Sequence, residues 1–170
     1  MTSIADAHLE QVARPGTVVA DTATSVRAYA DRDFDRLVAR WHETNRASYP
    51  YVGAQMRHTA EDARWFFRAK ILSSCAVWVA ERSEDLVGLI AIEAPWIRQL
   101  AVFPEHQRRG VGTALLHQAR ECSPAELRLY TFQRNGKARA FYEKHGFRLA
   151  ALGVSPAPEL EPDVEYRWSA

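Results

Sequence analysis

A strand, a glycine-containing turn and a helix follow one another between Ile97 and Glu121. The strand part is apolar and rich in residues that favour pleated structure, and Pro104 ends it because proline has no N–H to donate to a ladder. The helix part shows residues that recur at helical spacing, apolar except for the glutamine: Val111, Ala114, Leu115, Gln118 and Cys122. The stretch therefore predicts a strand that leads through a turn into an amphipathic helix.

The turn runs from Gln107 to Thr113 and has the composition of an anion site. Gly110 and Gly112 stand at the start of the helix, where glycine lets the backbone approach a ligand closely. The first N–H groups of a helix have no partner within it, and they lie at the positive end of the helix dipole. Because Arg108 and Arg109 add positive charge, the turn is predicted to bind phosphate.

Other phosphate-binding loops fit this turn less well. The GxxxxGK[ST] pattern is absent, and a GxGxxG pattern that began at Gly110 would need a third glycine where Leu115 stands. No βαβ unit opens the chain around this pattern. Taken alone, the turn is explained about equally well as a surface turn that happens to hold two glycines.

Two motifs together resemble the GNAT family of N-acetyltransferases. A strand of the form L-x-V-x-P followed by Q-R-R-G-V-G, from Leu100 to Gly112, is similar to the family's acetyl-CoA-binding motif, whose core is Q/R-x-x-G-x-G/A. Residues Asn135 to Phe147 are similar to the second family motif, N-x-x-A-x-x-F-Y-x-x-x-G-F. The first core is short, but two motifs in the family order with a strand between them are specific. The resemblance extends from Ser25 to Trp168 in the order of elements.

The resemblance implies an α/β (α+β) fold with a mixed, mostly antiparallel sheet that splays open beside a central strand. It also implies acetyl-CoA as co-substrate and no metal. In the family the pantetheine arm pairs with the splayed strand, and the turn holds the pyrophosphate. Carried over to this chain, the cofactor-binding residues are Leu100, Ala101 and Val102 on the strand, Gln107, Arg108, Arg109, Gly110, Val111, Gly112 and Thr113 in the turn, and Asn135 and Tyr142. Core packing of Leu100 and Val102 is compatible with this role, because the backbone makes the family contact.

Tyr142 matches the general acid of the family. A phenol with a pKa near 10 can protonate a leaving thiolate, whereas a carboxylic acid would already be ionised. From periodicity alone, an aromatic residue four positions after Ala138 is more simply a core residue, and the family match favours the acid. Asn135 matches a position that contacts the cofactor in the family, and as the first residue of an Asn-Gly pair it is also typical of a turn.

The sequence leaves the general base open. Many family members use a glutamate near the central strand, and Glu93 is the nearest candidate here, with Glu81 and Glu105 behind it. A solvated surface carboxylate explains each of the three more simply. Close relatives often carry an acidic residue where Arg98 stands. This arginine, next to Trp96, is therefore either a contact for an acceptor carboxylate or an exposed side chain.

Length and composition narrow the remaining possibilities. A chain of 170 residues with 47% hydrophobic and 25% charged residues suits one soluble domain, placed at 24–170 after a loose polar extension at 1–23. A net charge of +1 provides no field that would recruit nucleic acid or a membrane. Cys75 and Cys122 form no ligand cluster and are expected to be buried free thiols. Since the N-terminus has no hydrophobic signal core and no apolar run could span a bilayer, we expect a cytoplasmic protein.

The order of predicted elements, β-α-α-β-β-β-α-β-α-β-β, is that of the GNAT fold. Asp31 or Asp33 is expected to cap the first helix, and Thr59 with Asp62 resembles a capping box at the start of the second. The second helix is expected to bury three large apolar side chains, Trp65, Phe66 and Leu72.

The sequence thus predicts an N-acetyltransferase that acts on a primary amine of a small molecule or a peptide. The alternative is a non-catalytic module that binds acyl-CoA, which the presence of Tyr142 and Asn135 mildly disfavours. An RNA-directed acetyltransferase is disfavoured by the near-neutral charge. The identity of the acceptor amine stays undecided, and a homodimer is left open.

Overall fold

The computed structural model describes residues 23–52 and 59–170, so the predicted extension at 1–23 lies almost wholly outside the described residues. The strands are β1 (Ser25–Ala28), β2 (Ala76–Arg82), β3 (Asp85–Glu93), β4 (Trp96–Val102), β5 (Glu126–Phe132), β6 (Arg148–Val154) and β7 (Pro162–Ser169). They form one sheet in the order β1-β2-β3-β4-β5-β7-β6. Every neighbouring pair is antiparallel except β4 and β5, which are parallel.

The described residues also form α-helices that cover both faces of the sheet, namely α1 (Phe34–Ser48), α2 (Ala60–Phe66), α3 (Val111–Cys122) and α4 (Gly136–Lys144). α1 and α2 pack on one face, and α3 and α4 pack on the other. Both faces of β3 are buried. Leu89 and Ala91 lie in the core beneath α1 and α2, and Ile90 and Ile92 lie in the core beneath α3 and α4. This arrangement confirms the mixed, mostly antiparallel α/β fold predicted from the sequence.

β4 and β5 diverge soon after they meet. Their parallel register contains one pair, Trp96 with Arg128, and the Arg128 N–H donates to the Pro95 carbonyl at 2.8 Å. Beyond Trp96, the registered partner of β4 within the described part of the chain is β3 alone. A gap, which we call the β4–β5 opening, therefore separates the free edge of β4 from β5. It corresponds to the splayed sheet that the family resemblance implies.

The prediction for the second helix is wrong about which large side chains are buried. Trp65 is 63% exposed and Phe66 is 40% exposed, and Leu72 is only half-buried. The buried side chains are instead Ala63, Phe67 and Ile71. The helix continues over Phe67–Ile71 as a π-helical turn, in which each residue advances less around the axis than in an α-helix. The buried positions therefore repeat every four residues.

The two predicted helix caps have different outcomes. At the start of α2 the Asp62 N–H donates to the Thr59 hydroxyl at 3.1 Å, and the Thr59 N–H donates to the Asp62 carboxylate at 2.8 Å. This capping box confirms the prediction. The cap predicted before α1 is not formed, because the Asp33 carboxylate accepts instead from the Ala30 N–H and from the Arg27 guanidinium. The hydrogen bond from Arg27 holds the pKa of Asp33 below its usual value.

The composition led to expectations about the cysteines, about membrane-spanning segments and about metal ligands. Cys75 and Cys122 are free thiols as predicted, but both are half-buried rather than buried. Within residues 23–52 and 59–170, no helix combines the length and the apolar character that crossing a bilayer requires. Nor do the side chains of these residues bring three or more His, Cys, Asp or Glu groups together in a metal-binding arrangement.

Candidate active site

The backbone of β4 lines one side of the β4–β5 opening. The Phe103 N–H donates to the Val87 carbonyl at 3.0 Å, which places Phe103, and by alternation Ala101, among the residues that bond to β3. The polar backbone groups of Leu100 and Val102 consequently point into the opening. Of the three strand residues predicted to meet the cofactor, Leu100 and Val102 can offer backbone hydrogen bonds there, whereas those of Ala101 are directed to β3.

The turn after β4 brings the start of α3 to the end of the same opening. Gly110 is the N-cap residue of α3, and its φ of +82° is a left-handed conformation that favours glycine. The Ala114 N–H makes the first helical bond of α3, to the Gly110 carbonyl at 3.0 Å, so the N–H groups before it have no partner within the helix. No side chain of the described residues caps them. Unpartnered N–H groups with a helix dipole behind them have the geometry that suits an anion.

Two side chains fasten this turn to the sheet. The Gln107 side-chain amide donates to the Val102 carbonyl at 3.0 Å, and the Arg82 guanidinium donates to the Arg109 carbonyl at 2.7 Å. Arg108 and Arg109 both have exposed side chains. The first part of the turn is therefore held to the sheet at two points, while its positive charge faces solvent.

The two glycines of the turn serve different purposes. A Cβ built on Gly110 meets no heavy atom within 4 Å, so a side chain there would project into open space that a ligand could occupy. A Cβ built on Gly112 would lie 3.2 Å from two ring carbons of Phe141 and 3.6 Å from Cγ2 of Val102. The prediction that Gly112 leaves room for a ligand is therefore wrong. Its missing side chain lets α3 pack closely against α4 and β4, and only its N–H is offered to a ligand.

Replacing Gly112 with alanine is accordingly expected to destabilise the fold by about 1 kcal/mol, measured by urea unfolding. Overpacking costs roughly 1–3 kcal/mol, and the better helix propensity of alanine offsets up to about 1 kcal/mol of this. Gly136→Ala is the matched control, since a Cβ at Gly136 meets nothing within 4 Å. A Gly112→Ala protein as stable as the Gly136→Ala protein would contradict the packing role.

Asn135 lies at the start of α4, and Tyr142 lies in the later part of the same helix. The Asn135 side-chain oxygen accepts from the Ala138 N–H at 3.1 Å and so caps the helix. Tyr142 is 7% exposed and meets the ring of Phe147 at 5.5 Å between centroids. Burial raises the pKa of Tyr142, and the nearby Tyr49 raises it further. The phenol therefore keeps its proton well above neutral pH, as a general acid must.

A threonine and a histidine join α4 to the turn. The Thr113 hydroxyl lies 3.1 Å from Nε2 of His145, and Nδ1 of His145 lies 2.8 Å from the Phe141 carbonyl. Because a carbonyl can only accept, Nδ1 carries a proton, and in the neutral ring Nε2 accepts from the threonine hydroxyl. The side chain of Thr113 thus binds α4, and its backbone N–H is the group left for an anion.

A cavity of about 310 Å³ lies between α2 and β4, and its charged lining residues are Lys70, Glu93 and Arg98. Arg98 is the extra residue of a β-bulge, because Ala91 pairs with Gln99 whereas Ile92 pairs with Ile97. The bulge turns this guanidinium toward the cavity beside the paired end of β4.

Among the three candidate bases, Glu93 is the one that lines the cavity. Its carboxylate accepts from Nε of Arg98 at 2.8 Å, and the Arg98 guanidinium lies 5.4 Å from the ring centre of Trp96. Glu81 and Glu105 are each held in an ion pair with an arginine of another element. Their carboxylates are thus engaged away from the cavity.

Residues 73–149 match the family model of the acetyltransferase (GNAT) domain. YafP of Escherichia coli, described as an uncharacterized N-acetyltransferase, is 34% identical to this chain over 127 residues, which are 72% of this chain and 80% of YafP. The chain belongs to the GNAT family of N-acetyltransferases. A second GNAT relative, the peptidyl-lysine N-acetyltransferase YjaB of Escherichia coli, is 29% identical over 126 residues, or 74% of this chain and 82% of YjaB.

Solved GNAT structures have the same fold as this chain. The apo form of YjaB, solved in solution, matches with a TM-score of 0.71 and 22% identity over 85% of this chain and 97% of YjaB. The PaiA N-acetyltransferase of Thermoplasma acidophilum, crystallised with coenzyme A, matches with a TM-score of 0.64 and 20% identity over 86% of this chain and 99% of its own. At these identities the likeness extends to the fold alone.

The predicted site residues of this GNAT domain occupy three neighbouring places: the free edge of β4, the turn with the start of α3, and α4. The contacts described above join the turn to each of the other two places. Glu93 lies apart from them, opposite Trp96, where β4 and β5 are still paired.

One tyrosine that packs at the end of β5 lies outside both sequence motifs. Tyr49 directly follows α1, and its ring meets the ring of Phe132, the last residue of β5, edge-on at 5.2 Å between centroids. In the sequence it belongs to a loop, and its one signal is a second tyrosine, Tyr51, on the other side of Pro50. Such a pair does not reveal a partner on a distant strand.

Proposed function

We propose that this GNAT protein transfers the acetyl group of acetyl-CoA to a primary amine of a small molecule or of a peptide. The observation that supports this best is the β4–β5 opening. Backbone groups of a strand line one side of it, an uncapped helix N-terminus stands at its end, and a buried tyrosine lies on the helix packed against that turn. These three parts meet the three needs of the reaction: to hold the coenzyme, to neutralise its phosphates and to protonate the leaving thiolate.

The residues of the opening fit the chemistry of the coenzyme. The amide groups of pantetheine can pair with the backbone of Leu100 and Val102 as an added strand would, and a β4 N–H serves the acetyl oxygen. The diphosphate would meet the first N–H groups of α3, with charge added by Arg108 and Arg109. The open space in front of Gly110 leaves room for this approach.

The transfer requires two proton movements, and the chain offers a residue for each. As the amine nitrogen bonds to the acetyl carbon, the carbon–sulfur bond breaks and the sulfur leaves as a thiolate. Tyr142 gives its hydroxyl proton to this thiolate. Burial raises the pKa of the phenol, and the same burial raises the basicity of a thiolate that lies beside it. Glu93 takes the proton that the amine loses, through a water molecule.

The acceptor is proposed to enter through the cavity between α2 and β4. A volume of about 310 Å³ suits a small amine or one lysine side chain. Two cations and one anion, Lys70, Arg98 and Glu93, line it, which favours an acceptor that carries a carboxylate beside its amine over a polyamine. Because the relative YjaB is named for peptidyl-lysine, lysine in a peptide is the first acceptor to test.

Replacing Arg98 with alanine is expected to raise the KM of the acceptor roughly tenfold while leaving the KM of acetyl-CoA unchanged. The expected size follows from the loss of one charge-assisted hydrogen bond to the acceptor. Arg148→Ala is the control, because Arg148 is an exposed arginine on β6, at the far edge of the sheet. An acceptor KM that is equal in both variants would remove Arg98 from acceptor binding.

A panel of amines tests the proposed function. Peptides with an internal lysine, free amino acids and polyamines are each mixed with acetyl-CoA and the protein, and the released thiol is followed. We expect turnover with at least one class, together with an acetylated product of the expected mass. Thiol release that no amine accelerates would contradict the proposal and would leave a module that binds acyl-CoA without transferring its acyl group.

A further inference from the structure

Two aromatic rings join β4 to β5 at the point where these strands separate. The rings of Trp96 and Tyr130 are stacked, with 5.2 Å between their centroids and 9° between their planes. Trp96 is registered with Arg128, and Tyr130 follows Arg128 by two residues on the same face of β5. The two rings, which we call the Trp96–Tyr130 stack, therefore continue the contact between the strands into the start of the β4–β5 opening.

Polar neighbours hold the stack in place. The Tyr130 hydroxyl donates to the Glu165 carboxylate of β7 at 3.2 Å. The guanidinium groups of Arg98 and Arg128 lie 5.4 and 5.7 Å from the centre of the Trp96 ring, within the range of cation–π attraction. Tyr130 is 54% exposed, so these contacts rather than a surrounding core fix the position of its ring.

The stack covers one face of the inner end of the opening. Leu129 lies in the core beneath α3 and α4, so the next residue, Tyr130, lies on the other face of β5. Trp96 pairs with Glu93, which lines the cavity beside α2, and its ring therefore lies on that other face too. On the core face, Ile97 and Leu129 are buried. Side chains thus cover the inner end of the opening on both faces.

The start of α3 stands at the opposite, outer end of the opening. Trp96 is the first residue of β4 and Val102 is the last, and the turn that leads into α3 follows Val102. The strand spans about 20 Å between these two residues, a length comparable with that of extended pantetheine. A coenzyme whose diphosphate meets α3 and whose pantetheine runs along β4 therefore directs its thioester toward the stack.

We propose that the Trp96–Tyr130 stack limits the length of the acyl group, so that acetyl-CoA fits the opening and longer acyl-CoA thioesters do not. The reacting carbon has a fixed place, because the sulfur must meet Tyr142 while the carbon meets the amine. Each added methylene group of the acyl chain then projects toward the stacked rings. This inference rests on the proposed function, because it depends on the coenzyme lying in the β4–β5 opening.

Calorimetric titration with acetyl-CoA, butyryl-CoA and free coenzyme A tests this length limit without an amine. The parent is expected to bind butyryl-CoA about tenfold more weakly than acetyl-CoA, the discrimination that an extra methylene group typically causes in a closed pocket. Tyr130→Ala removes the stack and should bring the two affinities within about twofold of each other. Tyr130→Phe keeps the stacked ring and loses only the hydrogen bond to Glu165, so it should keep the preference of the parent.

Free coenzyme A is the control ligand, because it has no acyl chain to meet the rings. Each variant should therefore bind it as tightly as the parent does. A loss of affinity that all three ligands share would assign the rings to the stability of the opening alone and would overturn the length limit. Trp96→Leu removes the same stack from the side of β4, and it provides the test if thermal melts show that Tyr130→Ala does not fold.

Other results would also overturn the length limit. They are a parent that binds acetyl-CoA and butyryl-CoA equally well, a Tyr130→Ala protein with the preference of the parent, and a Tyr130→Phe protein that behaves as Tyr130→Ala does. A change confined to the KM of the acceptor would place the rings against the acceptor instead. A parent that acetylates no amine would contradict the proposed function, whereas the length limit is decided by affinities measured without an amine.

Discussion

Replacing Tyr142 with phenylalanine is expected to lower kcat on the order of 100-fold and to leave the affinity for acetyl-CoA nearly unchanged. Loss of a general acid typically costs about 10²-fold or more, and it affects the chemical step rather than ground-state binding. The ring packs against Phe147 and Tyr166, so phenylalanine preserves the core while removing the proton donor. Steady-state kinetics with acetyl-CoA and a competent amine measure both parameters.

The pH dependence provides a second view of the same residue. Burial raises the pKa of Tyr142, so the acid stays protonated, and kcat should not fall through loss of this proton below a pH of about 10. A Tyr142→Phe protein whose kcat equals that of the parent, with chemistry shown to limit the rate, would remove Tyr142 from the acid role.

The second large effect is expected at the turn, where Gly110→Glu should nearly abolish stabilisation by acetyl-CoA. Ligand at about 100 times Kd stabilises a protein by about 2.7 kcal/mol, which corresponds to a rise in Tm of roughly 5–10 °C for a chain of this size. A carboxylate at the start of α3 would occupy the open space before the helix and repel the phosphates. Thermal melts with and without acetyl-CoA measure the shift.

Gly110→Ala is the control that this experiment requires. The positive φ of Gly110 means that any side chain there is strained by about 1–2 kcal/mol, so both variants should melt below the parent without ligand. Only the glutamate should lose the ligand-induced shift. A folded Gly110→Glu protein that acetyl-CoA stabilises as much as the parent would exclude the turn as the coenzyme site.

The parts of the fold that follow from local rules could be predicted from the sequence. The capping box of Thr59 and Asp62 and the strand that leads into α3 each depend on a few neighbouring residues. Burial on α2 could not be predicted, because the π-helical turn at Phe67–Ile71 changes the spacing on which an α-helical pattern depends.

The sequence carries signals for the candidate site where one short segment supplies its residues, and none where distant segments meet. The turn Gln107–Thr113 carries its own signal in two glycines and two arginines. The packing at Gly112, by contrast, depends on the ring of Phe141 of α4, and the packing of Tyr49 depends on the ring of Phe132 of β5. Such contacts follow from tertiary packing, which no local pattern contains.

A crystal structure with coenzyme A bound tests the central claim most directly. The account predicts pantetheine in the β4–β5 opening, hydrogen-bonded to the backbone of Leu100 and Val102. It also predicts the diphosphate on the first N–H groups of α3 and the sulfur within hydrogen-bonding distance of the Tyr142 hydroxyl. Coenzyme bound elsewhere on the protein, or bound in the opening with its sulfur out of reach of Tyr142, would contradict the account.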